Sequence, residues 1–259
     1  MTVSSAHSSR MHAAIFNPLG EEGRAALVTA RLSQGIRAGV LRDGQRLPNE
    51  FELAGSFGVA VVTVREALGT LRDQGLITTR RGRNGGSFVS TSHQEITRAN
   101  ERLLASMSRV ALTDLCHHYR AIAVACAELA CRRATDDDVA VLAGIVDSLP
   151  QVPTETWRAA VSDVQLELAA LGGSARLTRE HMTLQRELLP LLALQDDEAA
   201  ARRAHEDHLR GHLQAVRVHD ADAARGALTR SVEHTQVWLL ERRGTLQAQS
   251  HQQHDATGA

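Results

Sequence analysis

The hydrophobic positions from residue 46 to residue 89 predict two short helices followed by a β-hairpin. Two apolar stripes recur at helical spacing, one at Leu53, Ala54 and Phe57 and the other at Val64, Ala67, Leu68 and Leu71. Gly58 separates the helices and Gly75 ends the second, because glycine adopts the positive φ of a sharp bend without strain. Residues 76–80 and 87–89 are rich in β-formers and flank the loop RGRNGG. This order of elements is typical of a winged helix-turn-helix.

Arginines lie where such a fold would meet DNA. Since the apolar stripe of the second helix faces the core, Arg65 lies on the opposite side, early in the helix. The hairpin adds three arginines, and its glycines let backbone N–H groups come close to a phosphate. The candidate DNA-binding residues are Thr63, Arg65, Arg72, Arg80, Arg81, Arg83, Asn84, Gly85 and Gly86. Two helices and a hairpin also occur in domains that bind no nucleic acid, but this concentration of arginine favours double-stranded DNA as the partner.

Beyond His93 the sequence predicts only helices. Alanine and leucine dominate, and glycine, proline and capping residues divide the region. The predicted helices cover approximately residues 94–108, 112–133, 136–148, 155–171, 174–194, 197–218 and 220–243. They indicate an all-α bundle that is large enough to hold a cavity. The fold is therefore expected to be mainly α, with a winged helix-turn-helix over 21–90, a helical domain over 94–243, and disordered tails at 1–20 and 244–259.

Charge is distributed unevenly along a chain whose net charge is −1. Residues 22–92 contain ten arginines against six acidic residues, whereas residues 93–259 contain eighteen against twenty-three. This distribution indicates that the cationic part binds DNA and that the acidic part binds a different partner. No apolar run approaches the roughly 20 residues that span a bilayer, no signal-peptide core is present, and the three cysteines form no CxxC pair. We therefore expect a cytoplasmic protein without membrane contact, with reduced and buried cysteines.

The N-terminal segment resembles the DNA-binding domain of the GntR family of bacterial transcription regulators over about residues 25–89. The resemblance rests on LPNEFELA (47–54), FGV (57–59), TVREAL (63–68), LRDQGLI (71–77) and RRGRNGGSFV (80–89). It implies a homodimer that binds a palindromic operator. The sequence departs from the family pattern at Ala60 and Val61, where a Ser/Thr-Arg pair is common, and at Phe51, where arginine is common. The other candidate residues must then carry more of the binding.

The C-terminal region resembles the helical, FCD-like effector domain of the FadR-type branch of that family. The resemblance rests on DLCHHYRAIAVACAELACRRAT (114–135), DVQLELAALGGSARL (163–177) and DADAARGALTRSVEHTQVWL (220–239). It implies a small carboxylate effector and a divalent metal (Mn, Zn, Ni or Mg), held by an Asp and a His one helical turn apart and by two later histidines. The first pair falls at Asp163 and Glu167 if a two-residue gap is allowed, and at Val161 and Gln165 without it.

The later metal positions are only partly occupied by histidine. They fall at His208 or Leu209 and at Ser231, three residues before His234. An oxygen-rich site of the kind that Mn²⁺ or Mg²⁺ tolerates could then be formed by Asp163, Glu167 and His208. Against this interpretation, His205, His208 and His212 share one helical face and could equally be a solvated stripe.

Arg120 is a candidate for the effector pocket. The resemblance places it at a position that often faces the cavity, and it lies in a stretch that is otherwise almost wholly apolar. A guanidinium there could bind a carboxylate or phosphate in bidentate fashion, or it could form a salt bridge with Asp163 or Glu128. The candidate effector-binding residues are Arg120, Asp163, His208 and His234.

The sequence thus predicts a DNA-binding transcription regulator, a repressor, whose operator affinity is controlled by a small-molecule effector. Two alternatives remain open at this point. One is a metal-dependent enzyme in the helical bundle. The other is a regulator that acts through a protein partner with weak sequence specificity, which Ala60 and Val61 would allow.

Overall fold

The structure is a computed structural model that describes residues 23–82, 85–90 and 92–257. The chain divides into two compact units, Met1–Thr97 and Arg98–Ala259, called here the N-terminal and the C-terminal unit. Ten α-helices and a two-stranded antiparallel hairpin are described, which confirms the predicted mainly α fold. The tail predicted at residues 1–20 lies outside the described residues. Within the described part of the chain, no helix combines the length and the apolar composition that a bilayer crossing requires.

The N-terminal unit is a winged helix-turn-helix. Its elements are α1 (Arg24–Arg37), α2 (Glu50–Phe57), α3 (Val61–Asp73), β1 (Ile77–Arg80) and β2 (Gly86–Val89). Helix α2 begins at a capping box, in which the Asn49 side chain accepts from the Glu52 N–H and the Glu52 side chain accepts from the Asn49 N–H. It ends at Gly58, whose φ of 65° is left-handed. The two strands pair in antiparallel register and form the wing.

The two predicted apolar stripes form the core of this unit. All seven stripe residues are buried, and they pack with α1 and β1, whose buried residues include Leu32, Ile36 and Ile77. Burying one such side chain contributes about 1.5–3 kcal/mol. The same inward orientation leaves the opposite side of α3 facing solvent, which is the side that the sequence assigns to DNA.

The C-terminal unit is an all-α bundle. Its elements are α4 (His93–Ser106), which begins before the division between the units, α5 (Arg109–Arg133), α6 (Asp136–Ser148), α7 (Thr154–Leu171), α8 (Ala175–Leu192), α9 (Ala199–Arg217) and α10 (Ala221–Thr257). Helix α5 packs against α7, α8, α9 and α10. Helix α6 begins at a capping box between Thr135 and Asp138. The three cysteines are free and buried, as predicted.

The C-terminal tail predicted at residues 244–259 is corrected by the structure as far as residue 257, and residues 258–259 lie outside the described part. Helix α10 continues through Thr257, with Leu246 buried. The Gln247 side-chain amide donates to the carbonyl oxygen of Ala105 at 3.1 Å, which ties this part of α10 to α4. Residues 245–257 contain no proline or glycine, so a composition rich in glutamine and histidine is compatible with a continuing helix.

Candidate functional site

The exposed side of α3 carries the first group of candidate residues. Arg65 is exposed, and its Nε donates to Oε2 of Glu50 at 2.6 Å. Arg72 is also exposed and donates to the Thr79 hydroxyl at 3.1 Å, while Thr63 is half-buried. Because solvent-exposed ion pairs contribute only about 0–1 kcal/mol, Arg65 can exchange Glu50 for a DNA phosphate or base at small cost.

The wing supplies further cations on a backbone that needs glycine. A Cβ added to Gly85 would lie 2.5 Å from the carbonyl oxygen of Arg80, and Gly86 has a φ of 146°. Arg80 stacks over the ring of Phe88 at 4.7 Å from its centroid, and Arg81 is exposed. Two predicted contacts of the wing tip, Arg83 and Asn84, lie outside the described residues.

A cavity opens inside the C-terminal unit among α5, α7, α8, α9 and α10. It contains an empty volume of about 500 Å³, part of it open to solvent. Its polar lining consists of Tyr119, Gln165, His181, His205, His208, His212 and Ser231. Three of the four histidines come from α9, where their spacing places them on one helical face. The remaining lining is mainly alanine and leucine. This combination suits a small ligand with a few polar groups.

Three of the cavity histidines have pKa values well below 7 and are therefore neutral at that pH. Burial lowers the pKa of His181 and of His212 to about 4, and burial with the nearby charge of Arg158 lowers the pKa of His205 to about 3. Both ring nitrogens of His181 and Nε2 of His212 have no hydrogen-bond partner among the described residues. Since an unpaired buried polar atom costs about 1–3 kcal/mol, these nitrogens favour a partner within the cavity.

Neighbouring side chains fix the orientation of two lining residues. The Gln185 side-chain amide donates to Oε1 of Gln165 at 2.9 Å and to the carbonyl oxygen of Ser162 at 3.1 Å. The ring of Tyr119 lies 5.2 Å from that of His181. The side-chain amide of Gln165 is thus oriented before any ligand binds.

The predicted effector residues are only partly brought together. His208 lines the cavity, and the ring of His234 lies 6.3 Å from it. Arg120 is not part of the lining, and it donates to Glu233 at 3.3 Å. Its partner is neither of the two carboxylates predicted as alternatives. The Arg120 guanidinium is instead directed towards solvent by its ion pair with the exposed Glu233 of α10.

The residues of this chain do not fit the metal that the resemblance implies. Of the two positions in the ungapped alternative, Gln165 lines the cavity and Val161 is buried in the core. Asp163 and Glu167 lie outside the lining. Across the described ranges, no group of three His, Cys, Asp or Glu side chains is arranged to hold a metal ion. This corrects the predicted set of Asp163, Glu167 and His208.

Three cavity residues were missed or misread in the sequence. His205 and His212 are buried, so the alternative of a solvated stripe is wrong for both. The spacing of the α9 histidines was visible, but their burial depends on the packing of α9 against α5 and α10. His181 stands alone on α8, and no local pattern in the sequence marks it.

The buried histidines predict a loss of stability in acid. Their pKa values are lower in the folded than in the unfolded protein, so the unfolded state binds protons first as the pH falls. The free energy of unfolding is therefore highest above pH 6.5 and decreases as the pH falls towards 4. At pH 5 the loss is on the order of 2 kcal/mol for each such histidine. Urea unfolding at pH 7.5, 6 and 5 measures it. His212→Gln should flatten this dependence, whereas substituting Gln for the exposed His117 should not. Equal stability of the wild type at the three pH values would contradict the assignment.

A winged helix-turn-helix with exposed arginines, joined to a helical unit with a cavity, defines a class of DNA-binding regulator. Residues 24–89 match the bacterial regulatory proteins of the gntR family, and residues 114–234 match the FCD domain. The chain belongs to the GntR family, and it carries an FCD domain. The alternative of a metal-dependent enzyme is excluded, because this family and the relatives below are transcription regulators.

Individual relatives agree with this family. The chain is 35% identical over 224 residues to the HTH-type transcriptional regulator RmpR of Mycobacterium gastri, covering 85% of this chain and 80% of RmpR. It is 26% identical over 225 residues to the HTH-type transcriptional repressor NanR of Escherichia coli K12, covering 82% of each chain. A solved GntR regulator from Rhodococcus sp. RHA1 has a TM-score of 0.46 and 22% identity, covering 84% of this chain and 98% of that chain.

Proposed function

We propose that this GntR regulator is a cytoplasmic, homodimeric repressor that binds a palindromic operator and is released or retained by a small molecule in the cavity of the C-terminal unit. The observation that carries the regulated part is the pair of buried imidazoles, His181 and His212, with unpartnered nitrogens in the described part of the chain. The name of NanR, a repressor, supports the direction of regulation. The exposed arginines of α3 and the wing support operator binding.

The cavity favours an uncharged ligand that carries hydrogen-bonding groups. The sequence suggested a carboxylate because of Arg120 and a metal, and neither belongs to the lining as described. The lining includes neutral imidazoles, an amide and a hydroxyl, which can each donate or accept. A carboxylate placed there would lose its hydration without meeting a cation in the lining, which is costly.

Control of the operator follows from a difference in ligand affinity between two states of the protein. In a dimer, the two winged helices must match the spacing of the two half-sites. A ligand that binds the C-terminal unit more tightly in one arrangement of the dimer shifts the population towards it. The operator affinity then changes by the same free energy that distinguishes the two ligand affinities.

Thermal unfolding in the presence of matched compounds tests this proposal. Each uncharged polyhydroxylated compound or amide is paired with its carboxylate analogue. We expect the uncharged compound of a pair to raise the Tm of the protein. The compounds that raise the Tm should also change the operator affinity in a fluorescence anisotropy titration. In Ser231→Leu, where the larger side chain enters the cavity, both effects should be lost while operator affinity without ligand is retained. An unchanged operator affinity in the presence of every stabilising compound would contradict ligand control.

A second measurement distinguishes the proposed sequence-specific regulator from the alternative, a regulator with weak sequence specificity. Binding is compared between a selected operator and random DNA of equal length over a range of salt concentrations. A specific regulator is expected to prefer its operator by about 10³-fold or more. A preference of less than tenfold, with a steep salt dependence, would favour the protein-partner alternative.

A further inference from the structure

Two large apolar side chains are exposed on α2 and α3, the helices of the helix-turn-helix. Phe51 is 74% exposed and Val62 is 70% exposed. Since successive residues of a helix are rotated by about 100°, Val62 lies about 180° from the mean direction of the buried stripe of α3. It therefore projects away from the core, near the start of the helix that a winged helix-turn-helix inserts into the major groove.

A single ion pair joins the two helices that carry these residues. The bond between Arg65 and Glu50 joins the first turn of α2 to the first half of α3. Phe51 follows Glu50 directly, and Val62 precedes Arg65 by almost one helical turn. Each apolar residue thus lies within three positions of one member of this ion pair. A single exposed apolar residue needs no explanation, but two of them beside an arginine on a DNA-facing surface favour a common partner.

We infer that Val62, with Phe51 beside it, contacts the C5-methyl groups of thymine in the operator and so determines its sequence. The thymine methyl is the apolar group that a base pair presents in the major groove, and apolar side chains recognise it there. Arg65 and Arg72 lie on the same helix and offer charge to the flanking phosphates. The inference rests on the proposed operator binding and adds the base that the recognition helix selects.

The test removes single methyl groups from the DNA. An operator is selected from a random duplex library with the full-length protein, and each thymine is then replaced by deoxyuridine, which lacks only the methyl group. Fluorescence anisotropy measures the affinity of each duplex. We expect at least one replacement to weaken binding about fourfold, the effect of withdrawing one buried methyl, and about 16-fold when it is made in both half-sites.

A matched pair of variants assigns the effect to Val62. Val62→Ala should bind the thymine and the deoxyuridine operators with nearly equal affinity, because the side chain that distinguishes them is gone. Val110→Ala, at a valine of the C-terminal unit that is 79% exposed, should keep the wild-type preference. The effect of deoxyuridine is measured with the wild-type protein on two DNAs, so it does not depend on how well a variant folds.

Each other outcome has a definite meaning. If a defined operator is bound equally with and without its thymine methyls, the inference is overturned, and the proposed function stands. If the preference for thymine persists in Val62→Ala, the role of Val62 is overturned. If selection yields no preferred sequence, both this inference and the proposed sequence-specific operator fall.

Discussion

Replacing Arg158 with methionine is expected to lower the free energy of unfolding of the C-terminal unit by about 3–5 kcal/mol. Arg158 and Asp196 are both buried, and Nε of Arg158 donates to Oδ1 of Asp196 at 3.0 Å. The guanidinium also donates to the carbonyl oxygen of Leu192 at 3.1 Å and lies over the ring of Trp157. Methionine fills much of the volume but leaves the Asp196 carboxylate without this partner in a dry environment.

Two further variants distinguish a lost charge partner from lost packing. Asp196→Asn in the Arg158→Met background should recover part of the stability, because the amide carries no charge that needs a partner. Arg225→Met removes an exposed arginine that pairs with Glu128 at 2.8 Å, and it should cost far less stability than Arg158→Met because water screens the pair. Urea unfolding at pH 7.5 measures all of them. Equal losses in Arg158→Met and Arg225→Met would show that burial of the first pair does not matter.

Replacing Arg65 and Arg81 together with alanine is expected to weaken operator binding by about 100-fold or more at constant salt. Arg65 lies on α3 and Arg81 on the wing, so each substitution is expected to remove a contact to the DNA phosphates, the first beside the major groove and the second along the wing. Each copy of Arg81 that neutralises a phosphate should also reduce the slope of log affinity against log salt by about one. Anisotropy titrations at several salt concentrations measure both quantities.

Glu50 provides the control for Arg65. If Arg65 acts only by holding α2 through its bond to Glu50, then Glu50→Gln should weaken operator binding as well. If Arg65 contacts DNA, Glu50→Gln should leave the affinity unchanged or raise it, because it removes a carboxylate that competes with DNA for the guanidinium. Arg109→Ala, an exposed arginine in the C-terminal unit, should have no effect. An unchanged affinity in the Arg65 and Arg81 double variant would contradict the assigned DNA-binding surface.

Local patterns in the sequence predicted the elements of both units well. The helical stripes around Leu53 and Leu68 became the buried core of the winged helix, and α6 covers Asp136–Ser148 as predicted. Apolar stripes and helix boundaries can be predicted because they depend only on residue types and backbone geometry within a short segment. The end of α10 was misjudged because composition suggested a tail, whereas the packing of Leu246 and Gln247 is a tertiary effect.

The cavity was harder to predict because its residues come from five helices. Gln165, His181 and Ser231 are far apart in the chain, and each has an ordinary local sequence. The same holds for Arg158 and Asp196, which form a buried pair across 38 positions. The resemblance to the FadR-type branch directed attention to this region, yet the chemistry of the lining became visible only when helix packing placed Gln165 in the lining and Asp163 outside it.

The most direct test of the account is to measure ligand affinity twice by isothermal titration calorimetry, once with the free protein and once with its operator complex. The compound is one that raises the Tm of the wild type but not that of Ser231→Leu. Because coupling between two sites is reciprocal, ligand and operator must change each other's affinity by the same factor. We predict that the ligand affinity differs by about fivefold to 150-fold between free and operator-bound protein, and that the ligand changes the operator affinity by the same factor. Identical ligand affinities for free and operator-bound protein would contradict it.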